Sequence, residues 1–261
     1  MLIDVHCHIY FDHFSKDLDE VIKRAKEAGL IALVVSGVNH STNEKVLELA
    51  KKYDIIKPSL GIYPLDAVGL GFKDDVIREV EKIDVDKEIE FIKKNKDKII
   101  AIGEIGLDNS VEDSRLEEQK VAFRKAIRLG KEIDKPIVIH TRKAEKECID
   151  ILEDEKARRV VLHCFTGSLK LAKRAEQLGY SFSIPAVITR LKHFQELVER
   201  VSLNNILTET DAPYLSPVKG ERSEPSNIKE TIKIIAKIKN MEIEEVEKII
   251  FSNYQKIFLR A

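Results

Sequence analysis

Six side chains able to hold a divalent cation stand at the ends of apolar runs. They are His6 and His8 in Ile3-Asp4-Val5-His6-Cys7-His8, Glu104 in Ile102-Gly103-Glu104-Ile105-Gly106-Leu107-Asp108, His140 in Ile139-His140-Thr141-Arg142, His163 in Leu162-His163-Cys164, and Asp211 in Glu209-Thr210-Asp211-Ala212-Pro213. Side chains alternate faces along a strand, so His6 and His8 point the same way and Cys7 the other. Four imidazoles and two carboxylates exceed what one tetrahedral ion needs and suit two ions sharing a bridging carboxylate. Each alone is ordinary: a strand-end Glu is commonly solvated, a His after an apolar run is commonly hydrogen-bonded, and Asp211 could simply start a turn. Their shared place, each at the same end of its run, points to metal chemistry.

Such ends meet only if the runs are parallel strands of one sheet. The apolar runs are Leu2–His6, Ala32–Ser36, Ile55–Gly61, Ile99–Glu104, Ile137–His140, Val160–Cys164, Tyr180–Ile184 and Ile206–Glu209. Between them, helical spacing covers Asp19–Ala28, Asn43–Lys52, Asp86–Lys94, Arg115–Ile133, Lys143–Glu153, Lys170–Leu178 and Leu191–Val201, and a pair of helices, Ile228–Lys239 and Ile243–Leu259, closes the chain. Eight β-branched runs alternating with helices predict an α/β protein, a (β/α)8 TIM barrel spanning residues 1–261 as a single domain. An open doubly wound sheet is the other solution, but no G-x-G-x-x-G or G-x-x-x-x-G-K-[ST] follows a strand. Two stretches, Tyr63–Val85 with Pro64, Gly69 and Gly71, and Ala212–Ser226 with Pro213, Pro217, Gly220 and Pro225, read as long loops over the C-terminal strand ends, where barrel enzymes build active sites.

The 261 residues are 43% hydrophobic, and 44 basic against 45 acidic residues leave a net charge of -1, so no global basic field attracts nucleic acid and any polyanion must be gripped locally. No apolar run reaches the roughly 18 residues of a membrane span, and no basic n-region leads the chain, so a soluble, cytoplasmic protein is expected. Three cysteines without a C-x-x-C argue against a disulfide framework. His193 falls in a helical segment, His40 precedes the second helix and His13 trails the first strand, so these three are read as structural by default, a place on the rim of the site being open to His13 and His40.

His6-Cys7-His8, Gly103-Glu104-Ile105-Gly106-Leu107-Asp108, His140-Thr141-Arg142, His163-Cys164-Phe165-Thr166-Gly167 and Glu209-Thr210-Asp211-Ala212-Pro213-Tyr214-Leu215 together resemble the successive signatures of the TatD family of metal-dependent hydrolases, and the likeness runs on to Ser252-Asn253-Tyr254. The resemblance implies an amidohydrolase-type TIM barrel with one or two divalent metals and deoxyribonuclease activity, often a 3′→5′ exonuclease. Carried over by position, His6, His8, Glu104, His140, His163 and Asp211 would be the metal ligands, with Glu104 bridging. Three positions depart from the family's pattern. Gly61-Ile62-Tyr63-Pro64 has a phenol where Gly-x-His-Pro is usual; Lys219-Gly220-Glu221-Arg222-Ser223-Glu224-Pro225 has Glu221 where a basic residue is usual; and Asn109-Ser110 stands where an aromatic often does.

The expected function is hydrolysis of DNA phosphodiesters, at single-stranded or frayed ends, by two-metal activation of water, the ions being zinc, magnesium or manganese. Asp211 and Glu104 are the expected catalytic groups, with Asp211 accepting the proton of the attacking water. Tyr63, Arg142, Lys219 and Arg222 are expected to contact substrate, and Asp108 and Glu209 to orient imidazoles. The alternative is an ester or amide hydrolase on the same scaffold, favoured by Glu221, the missing imidazole and the balanced charge. A non-catalytic binding module is disfavoured, because six ligand groups leave room for water and no basic patch with aromatics is evident.

Overall fold

The computed structural model describes residues 1–70 and 82–259. Among these, eight parallel strands form one sheet in chain order: β1 (Leu2–Cys7), β2 (Leu30–Ser36), β3 (Ile56–Leu60), β4 (Ala101–Asp108), β5 (Ile137–Arg142), β6 (Val160–His163), β7 (Ser181–Pro185) and β8 (Ile206–Glu209). The connections carry α1 (Leu18–Glu27), α2 (His40–Lys52), α3 (Pro64–Ala67), α4 (Val85–Lys94), α5 (Leu116–Glu132), α6 (Glu145–Asp154), α7 (Leu169–Gln177) and α8 (Lys192–Arg200), and α9 (Ile228–Lys239) and α10 (Ile243–Tyr254) follow β8. The sheet curls until its edges meet. Asp211 N–H donates to the His6 carbonyl at 2.9 Å, His8 N–H to the Ala212 carbonyl at 2.7 Å, and the Thr208 hydroxyl to the Ile3 carbonyl at 2.7 Å. This is the expected (β/α)8 barrel, nearly closed.

Buried parallel strands must find apolar partners on both faces, and the core divides accordingly. Ile3, Val5, Ala32, Val34, Ala101, Val138, Val161 and Leu207 fill the lumen, and Tyr254 and Phe258 join that cluster from the end of the chain. Leu2, Cys7, Leu33, Val35, Ile102, Ile105, Ile139 and Leu162 point outward into the larger core shared with the helices.

Among the described residues the strand pairing shifts register three times, and the site depends on two of these shifts, one in β1 and one in β4. Asp4 pairs with Leu33 and Cys7 with Val35, so three steps along β1 oppose two along β2. The extra residue is a bulge. Ile3 and Val5 face the lumen below it, Cys7 faces outward above it, and His6 and His8 consequently face the lumen as well. In β4, Ile102 pairs with Ile137 and Ile105 with Ile139, again three steps against two, which puts Gly103 and Glu104 together on the lumen side. A Cβ on Gly103 would stand 2.7 Å from Val138 Cβ, so only glycine fits there.

Several boundaries differ from the sequence reading, each for a local reason. β4 and β5 run on to Asp108 and Arg142, past their apolar runs, because the two strands continue to pair through Asp108 and Arg142. The expected loop Tyr63–Val85 opens with α3, where Pro64 sits at the first helical position after extended Tyr63; its Gly71 lies outside the described residues. The last expected helix ends at Tyr254 and widens into a π-turn over Gln255–Leu259, with the Tyr254 and Phe258 rings stacked at 5.2 Å. No described helix is long and apolar enough to cross a membrane. Phe258→Ala should cost about 3–5 kcal/mol by emptying space beneath the lumen core, measured by denaturant unfolding; a loss under about 1 kcal/mol would mean that the ring carries no core packing.

Candidate metal centre

Five of the six residues, His8, Glu104, His140, His163 and Asp211, line a cavity of about 500 Å³ at the C-terminal ends of the strands, and His6 is buried beside them. His6 Nε2 and His8 Nε2 lie 3.1 Å apart. Glu104 Oε2 lies 3.6 Å from the first and 3.4 Å from the second, and Asp211 Oδ1 lies 3.6 and 3.5 Å from them. The other carboxylate oxygen of Glu104 turns to the opposite pair, with Oε1 2.7 Å from His140 Nδ1 and 3.1 Å from His163 Nε2. Glu104 therefore stands between two sets of nitrogens.

The far side of each ring explains which nitrogen faces inward. His8 Nδ1–H donates to the Ser36 carbonyl at 2.8 Å, leaving the Nε2 lone pair for the site. His140 Nε2–H donates to Asp108 Oδ2 at 3.1 Å, leaving Nδ1. His6 Nδ1 shares a hydrogen bond with the Ser36 hydroxyl at 3.1 Å. His163 Nδ1 has no hydrogen-bond partner among the described residues; Glu209 Oε2 stands 3.8 Å away and is itself held by the Ser183 hydroxyl at 2.5 Å. Behind His6, buried Asp4 accepts from the His6 N–H at 3.2 Å and from Thr210 N–H and hydroxyl at 3.1 and 2.5 Å, joining the β1 bulge to the segment that carries Asp211. Partners of this kind fix ring orientation and tautomer at metal sites.

Burial opposes ionisation of Glu104, but the His163 charge and hydrogen bonds from His140, His163 and His6 outweigh it and hold the carboxyl well below its usual range. Burial likewise opposes ionisation of Asp211, and the His8 hydrogen bond with the His6 and His8 charges brings it down. Burial disfavours the charged form of His8, yet hydrogen bonds to Asp211 and Glu104 lift it to about 9. His6, buried beside the His163 and His8 charges, falls to about 4. Two unprotonated imidazole nitrogens 3.1 Å apart repel unless a proton or a cation lies between them. The donor set and its aim thus fit divalent cations, as one group of His6, His8 and Asp211 and another of His6, Glu104 and His163.

The residues expected to contact substrate part company. Tyr63 and Arg142 line the cavity, and the Tyr63 hydroxyl also donates to Asp108 Oδ2 at 2.8 Å, backing the group that orients His140. Lys219 is exposed and Arg222 is held elsewhere; neither is in the cavity wall. Arg222 bonds Asp17 at 2.8 and 2.7 Å with its guanidinium 4.4 Å from the Phe14 ring centre, an ion pair with an aromatic beneath it and no longer a phosphate hand. His40 bonds Glu88 at 2.8 Å and His193 the Phe165 carbonyl at 3.1 Å, neither of them lining the cavity; the Nδ1 of His13 is buried and has no hydrogen-bond partner among the described residues. Sequence reasoning assigned no role to Ser36, although it ends its strand as the ligands end theirs, nor to Ser183 or Tyr214.

The sequence pattern of the TatD related DNase family matches residues 3–259. An uncharacterized metal-dependent hydrolase of Methanocaldococcus jannaschii is 39% identical over 99% of this chain and 97% of that protein. Deoxyribonuclease TATDN3 of Homo sapiens is 36% identical over 98% of this chain and 94% of its own length. Among solved structures, the TatD homologue YjjV of Escherichia coli superposes with a TM-score of 0.87 at 26% identity, covering 98% of this chain and 97% of its own.

Two outcomes follow from this geometry. Because His8, His140 and His163 all hold protons more tightly than free imidazole, divalent cations must displace them, so apparent metal affinity should rise with pH towards about 9. Titration calorimetry at pH 7 in buffers of differing ionisation enthalpy should register net proton release, and its absence would contradict the assignment. Asp108→Ala should weaken metal binding about 10- to 100-fold in a chelator competition by freeing the His140 tautomer; unchanged affinity would mean that packing alone orients the ring.

Proposed function

Because the chain belongs to the TatD family of metal-dependent hydrolases, we propose that it hydrolyses phosphodiester bonds of DNA, working 3′→5′ from single-stranded or frayed ends at a site that holds two divalent cations. The observation that carries the reading is the division of Glu104, with Oε2 towards His6 and His8 and Oε1 towards His140 and His163. His6, His8, Glu104 and Asp211 would hold one ion, and Glu104, His140 and His163 the other. Zinc, manganese or magnesium would each be compatible with parts of this imidazole and carboxylate set. When bound, such ions supply Lewis acidity, which acidifies water and neutralises charge on phosphate oxygens.

The chain's own groups do the rest. Asp211 is 16% exposed where Glu104 is only 5%, so its carboxylate is the one that solvent reaches, and it takes the proton of the attacking water. Glu104, buried among imidazoles, stays ionised and keeps both ligand sets together. Arg142 at the cavity wall binds a phosphate oxygen pair in the forked geometry that guanidinium favours. Tyr63 and Asp108 hold His140 in place, and burial opposed by the His140 hydrogen bond leaves Asp108 ionised, down at about 2.

One observation favours hydrolysis of a small ester or amide instead: among the described residues lining the cavity, Arg142 is the one fixed cation. Salt separates the readings. Cleavage of end-labelled single-stranded oligonucleotides by protein stripped with chelator and resupplied with zinc, manganese or magnesium should proceed from the 3′ end and weaken as salt rises. Asp211→Asn should lower turnover by about 100-fold or more at saturating metal, with metal content measured alongside. Metal-replete protein that leaves every oligonucleotide intact yet hydrolyses a neutral ester would move the assignment to the second reading.

A further inference from the structure

The chain has no Trp, six Tyr and ten Phe, yet three of those rings gather beside the metal centre. Phe11 lies nearly parallel to His8, with ring centres 5.4 Å apart, and meets Tyr10 at 4.7 Å and Tyr214 at 6.2 Å. Tyr214 lines the same cavity as His8, Glu104, His163, Arg142 and Asp211. A chain of ring contacts therefore runs from the His8 imidazole through Phe11 to Tyr214, which lines the cavity.

The chain's own contacts hold the wall in place. Tyr214 N–H donates to the Asp211 carbonyl at 2.8 Å, so the ring sits one tight turn from the proposed proton acceptor, and Ser223 N–H ties the same segment through the Pro213 carbonyl at 2.9 Å. Phe11 and His13 both cross the Tyr214 ring steeply, at 71°. The far end of the segment is pinned to both ends of α1, by Arg222 on Asp17 just before it and by Arg24 in its last turn on Glu224 at 2.7 Å. Ordering a recognition surface in advance lowers the cost of binding.

We propose that Tyr214, braced by Phe11, is the platform on which the base of the terminal nucleotide stacks while its phosphate lies over the ligand cluster beside Arg142. This rests on the phosphodiesterase reading and deepens it by naming the part of the substrate that is recognised. A phenol ring offers every base the same π-face, so recognition is of a base and not of a sequence. It also supplies the grip that a cavity with a single fixed cation in its described wall would otherwise lack.

The test compares oligonucleotides whose ends carry a base with the same strands ending in an abasic residue, at both termini. For wild-type protein, kcat/KM at the scissile end should favour the base-bearing strand by about 5- to 100-fold. In Tyr214→Leu that ratio should collapse towards one, and in Tyr214→Phe, which keeps the ring, it should persist. In metal-free protein, a terminal 2-aminopurine should change its fluorescence on binding wild type and Tyr214→Phe, and not on binding Tyr214→Leu. Wild-type cleavage of both ends at equal rates, or a ratio or fluorescence change that survives in Tyr214→Leu, would overturn the stacking assignment alone. Wild type that cleaves neither strand would overturn the phosphodiesterase reading, and this inference with it.

Discussion

A strand shows alternate residues to the same side, and the ligand cluster depends on β1 and β4 each breaking that alternation once. Without the extra residue, the phase that turns Ile3 and Val5 into the lumen would turn His6 and His8 out towards the helices. The same holds for β4, where Ala101 faces the lumen and Glu104, three residues on, must face it too. One residue in each strand thus lets the lower barrel be an apolar plug and the upper barrel a polar cluster on the same inner surface. The bulges are held by specific contacts. Asp4 takes the His6 N–H, and the missing Cβ of Gly103 makes room against Val138.

Bringing four imidazoles and two carboxylates together is costly unless each has a partner behind it. Ser36 serves two rings at once, its carbonyl accepting from His8 and its hydroxyl meeting His6, and Asp108 Oδ2 accepts from both His140 and Tyr63. These groups set which nitrogens of His6, His8 and His140 face inward, and the inward nitrogens of His8 and His140 hold protons that a cation must displace. The hydrogen bonds of Glu104 and Asp211 with those rings, together with the imidazole charges, keep both carboxylates ionised despite burial. Charge balance within the cluster is what makes it tolerable in the fold and able to exchange protons for metal.

The rim follows a different logic. The segment after β8 carries Asp211 and Tyr214, both lining the cavity, and ion pairs tie it to Asp17 before α1 and to Arg24 within α1. Arg222 and Arg24 stabilise through geometry: they hold a recognition surface in register with the ligands of β1, to which the Ala212 carbonyl also binds through His8 N–H. The two halves of the cavity that come from opposite ends of the chain are therefore one mechanical unit.

The barrel and the convergence of six candidate ligand residues were legible from sequence because both rest on short-range pattern. Apolar runs alternating with amphipathic segments specify parallel strands, and a polar side chain at the end of such a run has the strand mouth as its address. Fold class, strand number and the convergence of His6, His8, Glu104, His140, His163 and Asp211 all follow from that. Direction around a strand does not, since a bulge is a feature of pairing between two strands and leaves no local signature beyond a glycine such as Gly103. Nor does the fate of a long cation: Arg222 and Arg142 look alike in the sequence, and only the presence of Asp17 and Phe14 beside one, and of the cavity beside the other, separates an ion pair from a cavity-wall cation. Residues distant in sequence decide such questions, because the energy of a charge or a ring is set by its neighbours in space.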